Sequence, residues 1–177
     1  ARTVIREGAD VVKVMATGGV MTEGVEPGSA QMTWEELKAC VDEAHRAGKT
    51  AATHAQGSEG IENALRAGVD SVEHGIFLTD ALIETMLRQG TTLVPTLAAC
   101  HWILAVGVEG GVPAYAVEKT RRVFDAHVGS FRRAYEAGVT IAMGTDAGTP
   151  FNRHDGSWHE LRLMCGAGMS EKDALLA

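Results

Sequence analysis

Lys13, His54, His74 and Asp146 are the residues whose types and placement suit chemistry. They lie within or at the end of short apolar runs: VVKVMA (11–16), TAATHA (50–55), DSVEHG (70–75) and VTIAMGTD (139–146). A buried ammonium is costly, so a lysine inside an apolar strand is expected to be neutralised, paired or chemically used. Three uses are open for Lys13: a Schiff-base nucleophile, a carbamate formed with CO2 that bridges two metals, or a structural ion-pair partner. His54 and His74 are read as ending consecutive strands at matching positions, which suits two imidazoles binding one metal ion, with zinc as the default. Asp146 ends the last strand, where a carboxylate can touch a metal and take a proton from its bound water. Either histidine alone would be read as a hydrogen-bonded core residue. Lys, His, His and Asp together on strand ends read as a metal site.

These residues are positioned by a repeated unit. The phrases REGAD (6–10), HRAGK (45–49), LRAGVD (65–70), LRQGTT (87–92) and YEAGVT (135–140) each read as a helix end, a glycine that closes it, and the start of a strand. The strands expected are 11–16, 50–55, 70–75, 91–96 and 139–146. Thr33 with Glu36 marks a helix start, and Leu37, Cys40, Val41 and Ala44 form one apolar stripe. Further helices are expected over 58–67, 79–89, 113–137 and 157–166, with another beginning at Ser170. Regular βα alternation argues a parallel sheet, either open or closed into an eight-stranded barrel, and chemistry-bearing residues at almost every strand end favour the barrel. The long connections 17–32 and 97–111 then lie at its mouth as a substrate wall or lid.

Composition narrows the classes. The 177 residues fit one domain; hydrophobic residues make up 45% and charged residues 22%, values of a globular chain with a sizeable core. The net charge of −7 and the lack of a Lys/Arg cluster argue against a nucleic-acid partner. No apolar run reaches the ~18 residues of a membrane span. Cys40, Cys100 and Cys165 form no CxxC pair and read as free thiols. The glycine-rich segment after Lys13 does not match GxxxxGK[ST], so a nucleotide-binding loop is excluded. A cytoplasmic location and a possible homo-oligomer are the expectations for the whole protein.

Other polar residues are weaker candidates for touching substrate. Gln56 follows His54 directly, His101 and Tyr115 flank the second long connection, and His154 in GTPFNRHDG follows Asp146. His45, His127 and His159 fall on helices and are expected to be structural or solvent-facing.

The segments KVMATGG, THAQG, SVEHG and MGTDAGTPF resemble the amidohydrolase superfamily, specifically its prolidase-like branch, close in style to imidazolonepropionase. The resemblance covers nearly the whole chain. It implies strands four to eight of a (β/α)8 TIM barrel, an α/β fold present here as a single incomplete domain over 1–177. It also implies that Lys13 is the carboxylated lysine bridging two divalent metals, that His54 and His74 bind the second metal, and that Asp146 binds the first and shuttles the proton. A metal-bound hydroxide would then attack a small-molecule amide carbonyl.

One departure stands beside the match: the HxH pair that the family carries on its first barrel strand occurs nowhere in this sequence. The chain is therefore expected to be a fragment of a longer parent and inactive alone. The parent is expected to hydrolyse amide or peptide-like C–N bonds, as a dipeptidase or an N-acyl amino acid hydrolase. A Schiff-base barrel lyase using Lys13 and a catalytically inactive half-barrel are the alternatives.

Overall fold

Residues 1–149 and 151–177 are described by the computed structural model; Pro150, within MGTDAGTPF and GTPFNRHDG, lies outside the described residues. Helices and strands alternate: α1 (Arg2–Arg6), β1 (Val11–Met15), α2 (Trp34–Arg46), β2 (Thr50–Ala55), α3 (Ser58–Ala67), β3 (Ser71–His74), α4 (Asp80–Gln89) and β4 (Thr92–Val94). Then follow α5 (Leu97–Val106), α6 (Ala114–Ala137), a 3-10 turn at His154–Gly156, α7 (Trp158–Gly166) and α8 (Glu171–Leu176). The glycines of the repeated phrase (Gly8, Gly48, Gly68, Gly90 and Gly138) all have positive φ, the left-handed backbone on which a helix closes. At the start of α2, the Glu36 N–H donates to Thr33 Oγ1 (3.3 Å) and the Thr33 N–H to Glu36 Oε2 (2.9 Å), the expected reciprocal cap.

The four strands form one parallel sheet in the order β1-β2-β3-β4. A helix between each successive pair makes this an arc of a (β/α)8 barrel, in agreement with the expected fold class. One sheet face is dry. Val12, Val14, Ala51, Val72 and Leu93 pack there in a single buried cluster with Leu37, Val41, Ile61 and Leu65 from α2 and α3. The other face, the barrel interior, carries Lys13, Met15, His54 and Glu73. Val11 and Met15 on β1 are 48% and 55% exposed.

Lys13 is paired: on the inner face that this four-stranded arc leaves open, its side chain is 46% exposed and its Nζ lies 2.6 Å from the Glu73 carboxylate. The alternation that buries Val12 and Val14 turns Lys13 to the opposite face. The expected strand 139–146 is reduced to one parallel bridge, Leu93 to Ile141. There the Leu93 N–H donates to Thr140 O (2.9 Å) and the Ala142 N–H to Leu93 O (3.0 Å). The next rung of the ladder would need an N–H from residue 95, which is proline and has none. Finally, most of the long connection after β4 is helix α5.

The connection 17–32 is an irregular wall held from outside by α6. The Tyr115 hydroxyl donates to Met21 O (3.1 Å), Lys119 Nζ donates to Thr22 O (2.6 Å) and to Val25 O, and Arg122 pairs with Glu26 at 3.0 Å. Positions 115, 119 and 122 share one helix face, so a single stripe grips the loop at four residues.

Candidate functional site

At the carboxyl ends of the strands lies a cavity of about 350 Å3, lined by Lys13, His54, Gln56, His74, Cys100 and Asp146, with Met15, Val20, Met21 and Ile103 among its apolar walls. All four residues proposed from sequence as a metal site thus reach one cavity, together with Gln56. The other three candidates do not line it. His101 packs edge-on against Trp102 (ring centroids 5.2 Å apart) and Tyr115 is engaged with Met21. His154 lines a separate surface hollow with Gly148 and Phe151.

The two imidazoles meet in a way that strand periodicity alone forbids. Register pairs Met15 with His54 and His54 with Glu73, while His74 sits one position further on, opposite Ala55. A one-residue offset puts a side chain on the other sheet face. His74 escapes this because its φ is +74°, a left-handed conformation that turns the ring back toward His54. The ring centroids lie 4.5 Å apart at an interplanar angle of 70°. Thr96 and Asp146, with φ of +52° and +56°, end the next two βα units in the same manner. Such conformations cost about 1–3 kcal/mol each and persist where the surrounding structure enforces them.

Electrostatics favour neutral rings. Burial pushes the His54 pKa below the usual imidazole value, with the Gly18 backbone working the other way. Burial, then the proximity of His54, pushes His74 well below it. His54 Nε2 is buried and has no hydrogen-bond partner among the described residues. Neutral imidazole with an uncommitted nitrogen is the form that ligates metals, so the His54–His74 pair fits a divalent cation. Among the described residues, no three His, Cys, Asp or Glu side chains converge on one point, so Asp146 lines the cavity without closing a three-ligand cluster.

Sequence signals left two residues unnamed, Glu73 and Glu160, and left His127 between two readings. Glu73, adjacent to His74 in SVEHG, accepts from Ser71 Oγ (2.6 Å) and faces Lys13. Glu160 is fully buried, and its carboxylate accepts from the Leu97 and Ala98 N–H groups that open α5 (2.8 and 2.7 Å). His127, expected to be structural or solvent-facing, is fully buried beneath the site with Nε2 2.7 Å from Pro95 O. Only the Ser71–Glu73–His74 spacing carried a local signal.

Burial, opposed by the backbone of Pro95 and His74, lowers the His127 pKa to about 4 from the ordinary 6.5. A depressed base contributes stability that is present above its unfolded pKa and lost as pH falls through its folded one. Acidification from pH 6.5 to 4 is therefore expected to cost about 3 kcal/mol through this residue. His127→Gln, which keeps a donor for Pro95 O, should flatten that part of a stability-versus-pH curve measured by urea unfolding. An unchanged acid limb would count against the assignment.

A barrel arc with paired imidazoles, a lysine and a carboxylate lining one cavity defines the class, and the chain belongs to the amidohydrolase family, whose model matches residues 1–177. It is similar to ochratoxinase of Aspergillus niger, with 40% identity over 145 residues, 82% of this chain and 30% of that protein. Among solved structures it resembles a Xaa-Pro dipeptidase with bound methionine in the active site (TM-score 0.89, 36% identity, 98% of this chain and 43% of that one). The crystal structure of A. niger ochratoxinase is similarly close (TM-score 0.87, 35% identity, 98% and 38%). The chain thus spans about a third of the curated relative and about two fifths of the solved ones. Among the described residues, no helix is long and apolar enough to cross a membrane.

Proposed function

We propose that the protein hydrolyses the C–N bond of small amides of the dipeptide or N-acyl amino acid kind, with a divalent metal site built on His54, His74, Lys13 and Asp146. The carrying observation is the pair of neutral, adjacent imidazoles, one with an uncommitted buried nitrogen, in a cavity that also holds a lysine and a carboxylate. When bound, the metal, with zinc as first choice, would supply an activated water and polarise the amide carbonyl. The chain's own residues do the rest. Asp146 holds the proton and delivers it to the departing amine nitrogen, Gln56 orients the substrate, and Val20, Met21 and Ile103 exclude bulk water. Similarity to a Xaa-Pro dipeptidase and to ochratoxinase supports this reaction class.

Lys13 is proposed to react through its amine with CO2, forming an N–C bond and releasing a proton, to give a carbamate whose oxygens would help to hold divalent metal. The amine must first leave its ion pair with Glu73. The Schiff-base alternative is less well supported, because those lysines are activated by desolvation or by a neighbouring cation, whereas Lys13 faces the Glu73 carboxylate.

The test is elemental analysis of the intact protein, wild type beside Lys13→Ala, with and without bicarbonate, alongside hydrolysis of dipeptides and N-acyl amino acids. About two divalent ions per wild-type chain, lost together with activity in the variant, is the expected result. Absence of bound metal in both, or borohydride trapping of a carbonyl substrate on Lys13, would overturn the reading.

A further inference from the structure

We propose that Thr96 fixes His74 in one tautomer, with the proton on Nδ1 and the lone pair on Nε2, and that Glu160 holds Thr96 in the backbone conformation this requires. The consequence for metal binding rests on the function proposed above; the tautomer itself does not.

Thr96 Oγ1 lies 2.7 Å from Pro95 O and 2.6 Å from His74 Nδ1. A hydroxyl has one proton and a carbonyl oxygen has none, so two oxygens at 2.7 Å need the hydroxyl proton between them. Thr96 therefore donates to Pro95 O and offers His74 only a lone pair. Nδ1 must then carry the hydrogen, which leaves Nε2 as the free donor atom of a ring that lines the cavity. In the opposite arrangement, with the hydroxyl donating to Nδ1, the Thr96–Pro95 contact would be lone pair against lone pair. His127 leaves the first arrangement open: its Nε2 donates to Pro95 O, whose second lone pair takes the Thr96 proton.

The geometry depends on a strained residue. Thr96 is β-branched yet sits at φ 52°, ψ 41°, where such side chains are outliers. The next two N–H groups, of Leu97 and Ala98, are held by the two oxygens of one buried carboxylate, Glu160, from more than sixty residues away. That double bond fixes the start of α5 and with it the hydroxyl of Thr96. Thr96 and Glu160 are positioning residues: neither is among the residues that line the cavity.

The experiment reads the tautomer in metal-free intact protein by long-range 15N–1H NMR of the imidazoles, and zinc affinity by chelator competition. The wild type should show His74 protonated at Nδ1. Thr96→Val, which keeps the β-branch and removes the hydroxyl, should mix or invert the tautomer and weaken zinc binding about ten- to hundred-fold, and Thr96→Ser should restore both. Glu160→Gln should weaken binding in the same direction, with the double variant no worse than Thr96→Val alone. A His74 proton on Nε2 in the wild type, an unchanged tautomer in Thr96→Val, or equal losses in Val and Ser would overturn the proposal. Additive losses in the double variant would remove Glu160 from it. If Thr96→Val does not fold, the wild-type spectrum and Glu160→Gln still decide. A wild type that binds no zinc would sink the metal reading and leave the tautomer result standing.

Discussion

Asp146→Asn is expected to lower kcat of the intact protein about 10³-fold, the range of a lost general acid–base group, while leaving the fold in place. The substitution isolates charge from geometry. Asn has nearly the shape of Asp and tolerates the left-handed backbone that Asp146 adopts at φ +56°. The surrounding turn does not depend on the carboxylate: Thr149 Oγ1 donates to Asp146 O (2.9 Å), the Ala147 N–H donates to Thr145 Oγ1 (3.2 Å), and Asn152 Nδ2 donates to Thr145 O. Turnover of a dipeptide by wild type and variant, with unfolding midpoints alongside, checks this. A variant retaining more than a tenth of wild-type kcat would remove Asp146 from the proton-transfer role.

The largest effect on stability is expected from Gly57→Ala. A Cβ at Gly57 would lie 2.0 Å from Gly28 O and under 3 Å from Gly28 C and Cα. Those atoms are backbone, so no rotamer change relieves the clash, and the wall formed by residues 17–32 has to move away from the start of α3. Overpacking of this kind costs about 3 kcal/mol, at the upper end of the usual range. The cavity should open with it, because Gly19, Val20, Met21 and Thr22 belong to the same wall. Gly129→Ala is the control: it lies within α6, where the nearest atom to a new Cβ is Arg133 Nη1 at 3.8 Å, and it should stabilise by up to about 1 kcal/mol. Urea midpoints for the two variants moving in opposite directions is the expected outcome. Equal midpoints would mean that the two loops separate at little cost.

What the sequence made legible follows from how local each signal is. The glycine-closed helices, the capping box at Thr33 and Glu36, and polar residues interrupting β-branched runs are all written within a few positions, and they placed β1 to β4 and pointed to four residues that line one cavity. Helix α5 was missed because its run, LAACHWILAV, is apolar on almost every side and its capping carboxylate is Glu160, far along the chain. Strand 139–146 was overcounted because the proline that stops its ladder sits in the neighbouring strand. The meeting of His54 and His74 was expected for the wrong reason: their register is offset by one, and a left-handed backbone that no sequence pattern announced brings the rings together.

The grip of Tyr115, Lys119 and Arg122 on residues 21–26 bears on how such a site can change its substrate. Three of the four contacts are to backbone carbonyls, so most of the loop's side chains are free to vary while its path is dictated by a helix more than ninety positions later. Point changes at Val20 or Met21 can reshape the apolar wall without loss of anchorage. A loop transplanted from a relative with a different length would instead arrive without its mooring. The two segments therefore form one exchangeable cassette, and altering specificity by recombination requires moving residues 17–32 and the first three turns of α6 together.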